Sequence, residues 1–122
     1  DNQNYHNDVS IGHARLGDVF LLVDRADEAI ENYETYLERA TMLAKKFPVH
    51  ALWQRNWAVA HQRLGDALLT RNEPDKALDH FRACLEIPVK YPVVDQANPD
   101  PRHVIQHCGQ RIEQIASRVK RP

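Results

Sequence analysis

Seven histidines are many for a chain of 122 residues. Imidazole titrates near neutrality and is the commonest protein metal ligand, so their spacing comes first. His103 and His107 stand four apart. On a helix both would share one face and could share a metal ion. Cys108 follows at once, but a neighbouring residue lies about 100° further round a helix, which puts its sulfur on the apolar side. No carboxylate or fourth ligand accompanies them. Zinc or nickel at His103 and His107 is therefore a remote alternative, and neither metal nor cofactor is expected. A Cys nucleophile with a His base is weaker still, because nothing in the pattern activates a thiol. The chain has no Gly-rich phosphate loop, no CxxC and no HExxH. The expectation is a protein that is not an enzyme.

Charge and composition narrow the partners. The 16 Lys and Arg balance 17 Asp and Glu, which argues against a nucleic-acid partner. The basic run Arg118–Arg121 reads as a fraying helix end. Two cysteines make no disulfide framework, and both fall among apolar positions. They are expected to be reduced and the chain cytoplasmic. No run approaches the roughly 18 apolar residues of a membrane span, so no membrane partner is expected. At 43% apolar and 27% charged residues, residues 1–122 fit one small domain. The opening DNQNYHND lacks an initiator Met, which reads as a processed chain or a piece of a longer protein.

The elements that would position these side chains are written twice. HARLGDVFL (13–21) returns as HQRLGDALL (61–69), a shift of 48 residues. Asp27 then meets Asp75, Ala29 meets Ala77, and Leu37-Glu38 meets Leu85-Glu86. Tyr5 pairs with Trp53, Val9 with Trp57, and Tyr33 with Phe81. A fixed period of this length marks a stack of like units. His13 and His61 are repeat-equivalent, so packing or a helix-surface role suits them better than catalysis. AKKFP (44–48) and PVKYP (88–92) match at an offset of 44. The second copy is thus shorter by four residues, close to one helical turn.

Inside each copy the apolar period is helical. Tyr5, Val9, Leu16, Val19, Phe20 and Val23 form the expected stripe of a first helix. Trp53, Trp57, Ala60, Leu64, Ala67 and Leu68 form its counterpart, with the tryptophans packing near Phe47. Second helices follow DRAD (24–27) and RNEPD (71–75), and end at Pro48 and Pro92. Pro88 is expected to end or kink its helix early. Gly17 and Gly65 lie mid-helix, where Gly costs about 1 kcal/mol against Ala. Using Gly twice at one place predicts a close helix crossing, with Ala29 and Ala77 as the facing contacts. The proline-broken linker 93–101 leads to a helix over 102–120. Its stripe is Val104, Ile105, Cys108, Ile112, Ile115 and Val119, and its other side is polar. The expected fold is all-α, an antiparallel helix-hairpin solenoid. Repeat one spans about 4–48, repeat two about 49–92, and the last helix is a cap.

Leu16, Gly17, Phe20, Ala29 and Tyr33, and Leu64, Gly65, Leu68, Ala77, Phe81 and Cys84, follow the pattern of the tetratricopeptide repeat family. Over about residues 4–92 the chain resembles its long-period form, common in bacterial proteins and appended to signalling enzymes such as kinases. Tyr36 stands where the family has a small residue. The resemblance implies a scaffold whose first helices line a concave groove for a peptide, a helix or a neighbouring domain. Carried over, the groove takes Ile11, Ala14, Asp18, Leu21 and Leu22 from the first helix. It takes Val59, Gln62, Asp66, Leu69 and Thr70 from the third, and His107, Gln110 and Gln114 from the fifth. The family's Lys/Asn carboxylate clamp is absent, since Ala14, Gln62, Asp18 and Asp66 occupy its places. The expected partner is a protein or peptide with apolar anchors and a Lys or Arg. The competing reading pairs Arg15 with Asp18 and Arg63 with Asp66 as i,i+3 ion pairs on a wet face. Self-association, as a homodimer or as the assembly domain of a larger bacterial signalling protein, is the alternative function.

Overall fold

In a computed structural model, which describes residues 2–90 and 102–120, five helices follow one another. They are α1 (Asn2–Leu22), α2 (Ala26–Lys46), α3 (Ala51–Thr70), α4 (Pro74–Lys90) and α5 (Arg102–Lys120). No strand occurs among the described residues. The linker 93–101, the end of the basic run and the side chain of Val119 lie outside them. Each helix packs on the next, so α1–α2 and α3–α4 are antiparallel hairpins and α5 closes on α4 and α3.

The repeat holds at the level of the backbone. The turn inside each hairpin bends through a residue with positive φ, Asp24 at 61° and Asn72 at 63°. These positions are 48 apart, and Asp and Asn are among the few side chains that tolerate this conformation. Arg25 N–H donates to Phe20 O at 2.8 Å, and Glu73 N–H donates to Leu68 O at 2.9 Å. Asp24 N–H reaches Leu21 O and Asn72 N–H reaches Leu69 O. Two such bonds satisfy carbonyls left over at a helix end. Acidic residues then open the next helix, Asp27 and Glu28 in α2 and Asp75 in α4, where the helix dipole favours them.

The glycines do mark close crossings, and the nearest atoms to each belong to an aromatic ring. A Cβ on Gly65 would lie 2.6 Å from Phe81 Cε1, and one on Gly17 would strike the Tyr33 ring. Ala29 and Ala77 are fully buried nearby in the same core. That core joins α2, α3 and α4 to Val104, Cys108 and Ile115 of α5. Trp53 is buried with Leu43 and Ala44 in a second cluster, with Phe47 and Trp57 packed on it.

Two sequence expectations fail. α4 runs through Pro88 to Lys90. The ring forfeits the bond to the carbonyl of Cys84, yet Pro88 does not end the helix there. The first-helix stripe is the larger failure. Tyr5, Leu16, Val19 and Val23 are half or more exposed, whereas Trp53, Leu64 and Ala67 are buried. The α3 face packs on α2, while no described helix covers the same face of α1.

Candidate functional site

The first helices stand side by side and are tied by polar side chains. Between α1 and α3, Trp53 Nε1–H donates to Gln3 Oε1 at 3.3 Å, and Asn56 Nδ2 donates to Asn7 Oδ1 at 3.1 Å. Arg63 Nε lies 3.6 Å from Asp18 Oδ1. Between α3 and α5, His107 Nε2 lies 2.8 Å from Asp66 Oδ2, and Arg111 Nε–H donates to Asp66 Oδ1 at 3.1 Å. The ion pairs therefore run between helices. Arg15–Asp18 and Arg63–Asp66 do not form along one helix among the described residues.

Both groove acids are engaged from within. Asp66 holds α5, and its side chain is 24% exposed. Asp18 accepts a hydrogen bond from the Tyr33 hydroxyl and faces Arg63, with 42% of its side chain exposed. Burial, and then the bond to Asp18, push the Tyr33 phenol upward, so it stays a neutral donor. The rest of the predicted set divides by depth. Ala14 and Val59 are buried in the core. Leu21 and Leu69 are half-buried against it. Ile11, Gln62 and His107 are half-buried, whereas Leu22, Thr70, Gln110 and Gln114 are exposed. Gln110 and Gln114 line a shallow recess on α5 with Glu113, Ser117 and Arg118.

Asp66–Arg111 was legible in principle. Shifting α3 by 48 places Arg63 on Arg111, Leu64 on Ile112 and Val59 on His107. α5 thus continues the row of first helices as well as capping the stack.

Histidine and cysteine chemistry is turned inward. His61 Nδ1 and His80 Nδ1 lie 3.0 Å apart. One proton fits between two such nitrogens, so one ring donates and the other accepts. Burial, and secondly His80, push His61 down to about 4. Burial also lowers His80, while Asp79 and Glu34 oppose the shift. In repeat one the same places hold His13 and Asn32, with Nδ1–H donating to Oδ1 at 3.1 Å. His103 is exposed and His107 is spent on Asp66. No group of three metal-ligating side chains occurs among the described residues. Cys84 and Cys108 are fully buried free thiols, with sulfurs 2.7 Å apart. The Cys84 sulfur, and then burial, push the Cys108 thiol up, away from a reactive thiolate.

A second cleft of about 300 Å³ opens on the opposite layer, where Asp27 and Glu34 of α2 face Arg71, Lys76 and His80. Arg71 Nη1 donates to Asp27 Oδ1 across it at 2.9 Å. These charges bridge consecutive hairpins. No described helix is long and apolar enough to cross a membrane.

The class the fold defines is an all-α stack of antiparallel helix hairpins. No family model matches the chain, and neither a curated protein nor a solved structure matches it.

Proposed function

We propose that this chain is a non-catalytic interaction module of the tetratricopeptide kind. It binds a peptide, a helix or a neighbouring domain along the face shared by α1, α3 and α5. The observation that carries the reading is the parallel row of first helices, cross-linked by Asp18–Arg63 and Asp66–Arg111. A rigid row whose side chains are held by neighbours presents a surface at low ordering cost. Asp18, more open than Asp66, is the acid that meets a basic residue of the partner. Asp66 positions α5. Ile11, Leu22, Gln62, Thr70, Gln110 and Gln114 supply the remaining contacts.

The test is selection of random peptides on the full chain, followed by NMR mapping of the bound site. Perturbations centred on Ile11, Asp18 and Gln62, and binding lost in Ile11→Lys, support the face. Peptides that perturb only the cleft at Asp27 and Arg71, or no selected peptide, sink it. A second reading, self-association, has its own observation: the apolar row left open on α1.

A further inference from the structure

Six positions on α1 make one continuous strip: Tyr5, Asp8, Gly12, Arg15, Leu16 and Val19. At spacings of three, four and seven they span about 100° of a helix. All six are exposed. Their equivalents in α3 are Trp53, Asn56, Ala60, Arg63, Leu64 and Ala67. Those apolar members are at most 4% exposed, whereas Tyr5, Leu16 and Val19 are 62%, 49% and 54% exposed. One face is thus an interface in repeat two and is bare in repeat one.

Gly12 adds an independent observation. Gly17 and Gly65 each lie under a ring, but a Cβ on Gly12 would meet nothing within 4 Å. Gly109 of α5 is equally open, but among the described residues only Gly12 lies within an exposed apolar strip of its helix. A glycine on an exposed helix face allows another backbone to approach closely.

The strip is complementary to itself. Laid antiparallel about Gly12, α1 of one copy places Gly12 against Gly12 and Tyr5 against Val19. It sets Val9 beside Leu16 on one flank and Asp8 beside Arg15 on the other. A two-fold axis makes each contact twice, the isologous arrangement of most homodimers. Neither Asp8 nor Arg15 makes an ion pair among the described residues. Stacking head to tail has no such match, because the outer side of α5 is polar, with Gln106, Gln110, Glu113 and Ser117 exposed.

We infer that the occupant of this strip is a second copy of the chain, joined α1 to α1 through a symmetric dimer crossing at Gly12. The inference rests on the self-association reading and is independent of the groove.

Sedimentation equilibrium of the full chain tests it, with circular dichroism confirming the fold of every variant. The wild type sediments as a dimer. Asp8→Arg or Arg15→Asp alone places like charges together and weakens the dimer about tenfold or more. The double exchange Asp8→Arg, Arg15→Asp restores it, as does mixing the two single variants. Gly12→Cys, at the axis, gives a disulfide-linked dimer when two thiols are oxidised by glutathione disulfide, which is reduced to glutathione. A monomeric wild type overturns both this inference and the self-association reading. A dimer indifferent to the charge exchanges overturns the α1 contact alone.

Discussion

Tyr33 lies on Gly17 and Phe81 lies on Gly65 in matching crossings, and the two rings differ by one oxygen. In repeat one that oxygen reaches back to Asp18 of its own hairpin. Repeat two has no hydroxyl there, so Asp66 is free to take His107 and Arg111 of the next helix. Asn32 and His80 show a similar exchange. Asn32 accepts from His13 and also donates to Glu28 O, whereas His80 meets His61 and leaves a half-buried imidazole pair. One backbone frame thus carries two assignments. Repeat one divides its aspartate between Tyr33 of its own hairpin and Arg63 of the next, and repeat two gives its aspartate wholly to α5.

The largest expected effect strikes what the repeats share. Gly65→Val drives a branched side chain into the fully buried Phe81 ring, already 2.6 Å from a Cβ. A core ring has little room to retreat, so the loss is roughly 3 kcal/mol. Gly109→Ala has the opposite sign, because nothing lies within 4 Å. It gains about 0.5–1 kcal/mol from helix propensity. Urea midpoints measure both, and equal losses would refute the crossing as the reason for Gly65.

Next comes the imidazole pair, present only in repeat two. Folding lowers His61 from 6.5 to about 4. The unfolded chain therefore takes up a proton that the folded chain refuses. Stability is complete above pH 6.5 and is lost as pH falls towards 4, by about 2 kcal/mol after allowing for partial solvent access. His61→Gln removes the larger part of this slope, leaving what burial of His80 contributes, read from urea unfolding between pH 7 and 4. His80→Asn copies repeat one and removes the smaller part, since burial is the main cause and His80 the second. An unchanged slope in His61→Gln would place the acid sensitivity elsewhere.

Sequence periodicity carried the helices and the hairpin order, because apolar spacing and turn residues act locally. It also located Gly17 and Gly65, since a costly residue used twice needs a packing reason. It failed where two helices look alike but have different neighbours. Leu16 and Leu64 share a pattern, and only the presence of α2 beside α3 buries the second. The i,i+3 pairing of Arg15 with Asp18 and Arg63 with Asp66 failed for a related reason. A charge at i,i+3 is visible in a sequence, whereas Arg63 reaches Asp18 across 45 positions. The same shift predicts Arg111 on Asp66 once α5 is read as a third first helix.

The smallest contrast separates the two aspartates. Asp66→Asn keeps the shape but gives up the charge that His107 and Arg111 share, and costs about 1 kcal/mol. Its effect is local: amide exchange quickens along α5, because the Asp66 bonds tie α3 to that helix. Asp18→Asn leaves Tyr33 an acceptor and loosens only the more exposed Arg63 contact, worth a few tenths of a kcal/mol. Exchange in α5 stays as it was. If Asp18→Asn also quickens α5, the ladder transmits along all three first helices, and the aspartates do not act as separate local devices.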